Sequence, residues 1–196
     1  MAEVSQAADS EPDPTAGRFK RFSNREAQER WSGPLTTRSG LKIFVRPARS
    51  GDRGLLERFF GSLTAEDLYF RFLSGIREID DERLEAMLCD SDDYSIDFVA
   101  LDVGTGEILA TAMLAADRAF DTAEFALATR PDAHGKGISW SLLDLAARYA
   151  RAMGIKRLQS LQSASQADAL QLEREMGFAV RTCPDDSTLM LAEKTF

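Results

Sequence analysis

Hydrophobic and polar residues alternate along this chain with two periods, and the switches between them mark out the secondary structure. From Trp31 the words GPLTT, RSG and LKIFVRPA read as a hairpin that leads into the first main strand. Three helices follow. Ser50 to Leu63 carries Leu55, Leu56, Phe59 and Phe60 at helical spacing, AEDLYFRFLSG carries Leu68, Tyr69, Phe72 and Leu73, and DDERLEAMLCD turns Leu84, Met87 and Leu88 inward. SIDFVALDVGTGEILATAMLAAD then predicts two strands around a GTG turn, and TAEFALAT a third that runs into a glycine-bearing turn. The next helix aligns Ile138, Leu142, Leu145, Tyr149 and Met153 on one stripe and stops at Gly154. A strand RLQSLQS, a helix QADALQLEREM stopped by Gly177, and two strands FAVRTC and TLMLAEK around a PDD turn complete the pattern.

Before Trp31 there is no sustained period. Residues 1–30 are rich in Ala, Ser, Glu, Asp and Pro and read as a flexible tail or an arm laid on a domain spanning 31–196. Within the arm, GRFKRF is read as a segment packing two phenylalanines rather than as a recognition motif. At 196 residues, 44% hydrophobic and 29% charged, the composition is that of a soluble globular chain with one sizeable core. There is no apolar run of membrane-spanning length and no signal-peptide pattern at the start, so a cytoplasmic location is expected. Cys89 and Cys183 stand far apart with no histidine cluster, which argues against a metal site or a disulfide framework. A net charge of -8 argues against nucleic-acid binding and leans toward cationic partners.

The turn after TAEFALAT is where chemistry first shows. Gly135 and Gly137 flank Lys136 just ahead of a helix, so several N–H groups converge at a helix N-terminus, which suits phosphate oxygens. No Lys-Ser or Lys-Thr pair follows, so the turn is not a Walker loop, and no third glycine arrives in the Rossmann register. An ordinary glycine connection between strand and helix stays open on the turn alone.

Taken in order, LKIFVRPARSGD, SLTAEDLYFRFLSG, DDYSIDFVALD, AEFALATRPDAHGKGISWSLL and LEREMGF resemble the GCN5-related N-acetyltransferases, the GNAT superfamily. The resemblance runs from about Trp31 to Phe196 and is strongest to the acetyltransferase domain of bacterial Pat-type protein lysine acetyltransferases. It implies an α+β (mixed α/β) fold: a central, strongly bent mixed β-sheet flanked by helices and splayed to form an acetyl-CoA cleft. The splay is expected between the strand ending at Thr129 and the strand near Leu158 to Gln162. Acetyl-CoA would pair its pantetheine arm with the backbone of Leu127, Ala128 and Thr129, as an added strand does. Its diphosphate would take the N–H groups of Gly135, Lys136, Gly137, Ile138 and Ser139, with His134 belonging to the same turn. No metal is implied.

An amine acceptor is protonated at neutral pH, so the site must remove a proton, and a carboxylate acting through water commonly does this. Glu124 matches the family's catalytic glutamate in AEFA and is the expected base. Alternation places it with Ala126 and Ala128 on one strand face, opposite Phe125, Leu127 and Thr129, with a family-type β-bulge expected to break that parity downstream. Asp132 is a second acid candidate, suited to capping the turn or meeting a cationic substrate, and the Ala128 N–H or a neighbour is the expected oxyanion donor. Tyr149 reads as core; Ser163, Ser165 and Cys183 are the available guesses for a general acid. Arg71 is expected to salt-bridge an acid such as Glu124 or Asp67. The leading reading is an acetyl-CoA-dependent N-acetyltransferase acting on a protein lysine, as a monomer or homodimer. The rivals are a small-amine acetyltransferase and a CoA-binding sensor, the last motivated by His134, Ser139 and Gln166, where the chain departs from the family's usual spelling.

Overall fold

A computed structural model describes Phe22 and residues 29–88 and 93–196. Cys89, the other residues of GRFKRF and residues 1–21 and 23–28 of the expected arm lie outside the described residues. Eight strands form one sheet in the order β1-β2-β3-β4-β5-β6-β8-β7. They are β1 (Gly33–Thr36), β2 (Lys42–Pro47), β3 (Ser95–Asp102), β4 (Ile108–Ala116), β5 (Thr122–Thr129), β6 (Arg157–Ser163), β7 (Ala179–Thr182) and β8 (Leu189–Thr195). Every pairing is antiparallel except β5 with β6. The sheet is mixed, as expected.

Helices cover both faces because the central strands are apolar on both. α1 (Arg53–Gly61), α2 (Ala65–Phe72) and α3 (Asp81–Leu88) bury Leu56, Phe59, Phe60, Leu68, Leu84 and Met87 with Val99, Ile108 and Ala128 of the sheet. On the other face α4 (Ile138–Ala152) packs Leu142, Leu143, Ala146 and Tyr149 against Ile43, Phe98, Leu114 and Phe125, joined by Leu158 and Phe178. Tyr149 is core, as expected, and its hydroxyl donates to the Phe22 carbonyl at 2.5 Å. Phe22 is itself fully buried between Tyr149 and Phe120. Tyr69, expected inward, is instead exposed.

Local caps fix where the elements begin. Thr64 caps α2: its Oγ1 accepts from the Asp67 N–H at 3.1 Å, and the Asp67 carboxylate accepts from the Thr64 N–H at 2.9 Å. Leu73 ends α2 in the left-handed region at φ 47°. Ahead of α1, Asp52 takes a two-pronged hydrogen bond from Arg46 at 2.5 and 2.7 Å.

The expected bulge on β5 is not there. β4 and β5 pair without interruption from Ala110 opposite Thr129 to Ala116 opposite Ala123. The irregularity lies one strand away, where Ala100 faces Ala110 but Leu101 faces Ile108, leaving Leu109 as the extra residue of β4. The two-residue alternation of β5 therefore holds along its whole length.

Candidate active site

β5 and β6 stay together for only three residues. Thr122, Ala123 and Glu124 face Arg157, Leu158 and Gln159, after which β5 continues on β4 alone and β6 on β8 alone. The sheet opens at the expected place, and a cavity of about 740 Å³ occupies the opening. Its walls are Phe125, Leu127, Ala128 and Thr129 of β5, the turn and first residues of α4, Gln162 of β6, one side of α5 (Ala167–Glu175) and the residues Glu66, Asp67 and Phe70 of α2.

Backbone alternation decides which groups of β5 face the opening. The Arg130 N–H donates to Leu109 on β4 and the Thr122 carbonyl accepts from Asp117 on the same side, so even-numbered residues spend their backbone groups on β4. The Asp121 carbonyl accepts from Lys156 and Arg157, on the β6 side. Phe125, Leu127 and Thr129 thus present their N–H and C=O to the opening, whereas the Ala128 N–H, the expected oxyanion donor, points to β4. The donor nearest that role is the Leu127 N–H. Ala128 still lines the cavity.

One of these edge groups is already engaged. The His134 Nε2 lies 2.8 Å from the Thr129 carbonyl, and since a carbonyl only accepts, that nitrogen carries the hydrogen. The same nitrogen is 3.9 Å from Asp67 Oδ1, so His134 bridges the end of β5 to the start of α2. His134 therefore turns toward the pantetheine end of the expected site rather than toward the phosphate turn.

The turn has the expected character. Gly135 and Gly137 adopt φ 71° and 75°, left-handed values that glycine takes without penalty. Gly137 is the N-cap of α4 and no side chain caps the helix. A Cβ on Gly137 would come within 3.3 Å of the Arg38 backbone nitrogen, whereas one on Gly135 would meet nothing within 4 Å. The β1–β2 turn supports this loop: the Ser39 hydroxyl donates to the Lys136 carbonyl at 2.7 Å, and Arg38 stacks 3.7 Å over the Trp140 ring. Ser139 lines the cavity with its Oγ 3.3 Å from Thr129 Oγ1, and the Ile138 side chain is buried in the core, leaving only its backbone to serve a ligand. Two polar atoms among the cavity-lining residues, Gln166 Oε1 and Glu173 Oε2, are buried and without a hydrogen-bond partner. An unpaired strand edge and an uncapped helix start fit a long, diphosphate-bearing ligand such as CoA.

Among the charged residues, Arg71 departs from expectation. Glu124 is exposed at the last β5–β6 pair, on the α2 side of the strand, and the cavity wall begins one residue later at Phe125. Arg71 does not bridge Glu124 or Asp67. It is buried, lies 3.6 Å from Asp97 of β3 and feels Glu124 only at longer range. The pairing follows from the sheet: Asp97 and Glu124 lie on one face, two strands apart, and α2 packs across them. Burial pushes the Asp97 carboxyl up to about 6 against the pull of Arg71, and burial lowers the proton affinity of Arg71. Asp132 binds Arg130 at 2.5 and 2.9 Å and is exposed. Ser163 and Ser165 share a 2.8 Å hydrogen bond, and Cys183 follows β7, outside the cavity wall.

Glu173 was not singled out by sequence. It is 2% exposed, its Oε1 accepts from Ser160 Oγ and, at 3.0 Å, from Gln162 Nε2, and its proton affinity is raised by burial. Its sequence signal is a charged residue on a buried helical stripe, three positions after Leu170.

Residues 63–178 match the family model described as "Acetyltransferase (GNAT) family". The chain belongs to the GNAT acetyltransferases. Its reaction is therefore acetyl transfer from acetyl-CoA to an amine, the chemistry of that family. Acetyltransferase PA5475 of Pseudomonas aeruginosa is 29% identical over 154 residues, covering 78% of this chain and 83% of the relative. Among solved structures, the GNAT domain of S. lividans PAT superposes with a TM-score of 0.78 at 20% identity, over 85% of this chain and 98% of that one. A GNAT-family acetyltransferase from Streptococcus pneumoniae gives 0.66 at 21% identity, over 79% and 99%. At such identities the superpositions speak for the fold alone. Among the described residues no group of three or more His, Cys, Asp or Glu could hold a metal ion, and no helix is long and apolar enough to cross a membrane.

Proposed function

We propose that this GNAT enzyme acetylates the side-chain amine of protein lysines, as a Pat-type catalytic domain comprising residues 31–196. The observation that carries this reading is the acidic lining of the cavity: Glu66 and Asp67 of α2 and Asp168 and Glu175 of α5 contribute to its walls, against the single arginine Arg38. Such a lining concentrates a cationic acceptor over an anionic or neutral one. The likeness in sequence words and in fold to Pat-type domains favours a lysine of a folded protein over a free amine.

In this reading each residue has a limited task. The N–H groups of Gly135 through Ser139 hold the CoA diphosphate, and the open edge of β5 at Leu127 and Thr129 aligns the pantetheine arm. Acetyl-CoA supplies an acetyl group activated as a thioester. Glu124 accepts the proton of the incoming ammonium through water, since it sits where β5 and β6 part and is exposed to solvent. The Leu127 N–H steadies charge on the acetyl oxygen. His134 fixes the end of β5 through Thr129 and so sets the length of the usable edge.

The test is a thiol-release assay with acetyl-CoA over a panel of folded proteins, lysine peptides, polyamines and amino acids. Turnover on proteins or lysine peptides that exceeds turnover on free amines, and that Glu124→Gln suppresses, is the expected result. Preference for a polyamine or an amino acid would replace the lysine reading by the small-amine one. Binding of CoA with no turnover on any acceptor would favour the sensor.

A further inference from the structure

Glu173 is a buried carboxyl that the scheme above leaves without work. Its environment is lopsided: Ser160 Oγ and Gln162 Nε2 both donate to Oε1, and Oε2 is buried with no partner. Two donors on one oxygen leave only the other to carry a proton. The anchors also locate the group. Ser160 is the first residue of β6 beyond its last pairing with β5, and Gln162 lies two further on, so Glu173 is tied to the apex of the opening, across from Phe125 and Leu127. A ligand strand on the β5 edge would bring its reactive end to that apex.

We infer that Glu173, through Oε2, is the proton donor to the departing thiol sulfur. This rests on the acetyl-transfer reading of the cleft. As the amine nitrogen bonds to the acetyl carbon, the carbon–sulfur bond breaks with its electron pair passing to sulfur. Glu173 gives its Oε2 proton to that sulfur, becomes a carboxylate, and regains a proton from water after the thiol leaves. The nitrogen loses two protons separately, one when the ammonium is deprotonated through Glu124 and one to solvent as the amide forms. Two protons are thus released and one is taken up per turnover, a net release of one. Burial raises the proton affinity of Glu173 against the opposing hydrogen bonds of Ser160 and Gln162, which favours the protonated form the step requires. Glu173→Gln keeps the shape and the acceptor at Oε1 while removing the transferable proton.

The experiment compares wild type with Glu173→Gln on two acetyl donors, acetyl-CoA and S-acetylthiophenol, with one lysine peptide as acceptor. An aryl thiolate leaves without needing a proton; an alkyl thiolate gains from one. The variant is expected to lose on the order of 10²-fold in kcat/KM with acetyl-CoA and less than about threefold with the aryl ester, within experimental scatter of a non-catalytic change. Equal losses on both esters, or no loss on either, would overturn the assignment. Should the variant not fold, wild type alone decides: across acetyl thioesters of increasing thiol acidity its rate should change little, and a steep rise would count against an internal donor. A wild-type protein that releases no thiol from acetyl-CoA on any acceptor would instead remove the acetyl-transfer reading and this inference with it.

Discussion

Two buried carboxyl groups, Asp97 and Glu173, stand on opposite sides of the β5–β6 opening and are handled by different physics. Asp97 lies under α2 with a buried guanidinium, Arg71, 3.6 Å away. Glu173 lies on the buried side of α5 itself among neutral donors, with one oxygen satisfied and the other bare in a residue that lines the cavity. The first is a charge pair held at 3.6 Å, in which Asp97 Oδ1 and Arg71 Nε and Nη2 make no hydrogen bond and whose loss leaves an ion in the core; the second is a weak acid with an unpaired oxygen and no cation in contact. Burial alone does not separate them, since both are almost inaccessible. Their partners do. A buried acid with a cation is part of what holds helix to sheet, and a buried acid without one is a candidate for chemistry.

The comparison breaks most sharply at Arg71. Arg71→Ala leaves Asp97 buried and unpaired and should cost about 3–5 kcal/mol in urea unfolding. A cost under about 1 kcal/mol would mean that the pair holds nothing together. Next in size is the exposed third carboxyl: Glu124→Gln should lower kcat on the order of 10²-fold while leaving the unfolding midpoint unchanged.

The pH dependence of Asp97 follows by linkage. Its folded proton affinity, about 6, exceeds the unfolded value of 3.8, so between those values the folded state holds more protons. The stability this group contributes is full below the unfolded value and is lost as pH rises through about 6. Unfolding free energies of wild type minus Asp97→Asn should therefore fall from pH 4 to pH 7, and a flat or rising difference would contradict the burial argument. The double change Arg71→Met with Asp97→Leu removes both charges together and should return stability to within about 1 kcal/mol of wild type. At the small end, Glu173→Gln should shift stability by less than about 1 kcal/mol, because its bare oxygen holds no native contact.

The fold was legible in the sequence where period and punctuation agreed. Leu142, Leu145 and Tyr149 fall on one stripe of α4 and are buried, and Gly154 and Gly177 stop α4 and α5 with φ 88° and 83°. The opening between β5 and β6 was legible only through resemblance, since nothing in TAEFALAT or RLQSLQS states where two strands part company. The site was legible where function lives in backbone, as at Gly135 and Gly137. Side-chain partners were not. Arg71 finds Asp97 because α2 crosses β3 in space, a relation with no local signature. Glu173 sits in LEREM among exposed charges, and only its register with Leu170 marks it as inward. The parity of β5 was read correctly, but which of its N–H groups face the opening required the Arg130 and Asp121 hydrogen bonds.

In the proposed function, the unpaired edge of β5 and the turn before α4 together hold acetyl-CoA. Amide hydrogen exchange with and without acetyl-CoA tests it directly. Exchange should slow at Leu127, Thr129 and Gly135 through Ser139, with Ala126, Ala128 and the β3–β4 pair unchanged. Protection confined to other parts of the chain, or none at saturating acetyl-CoA, would contradict it.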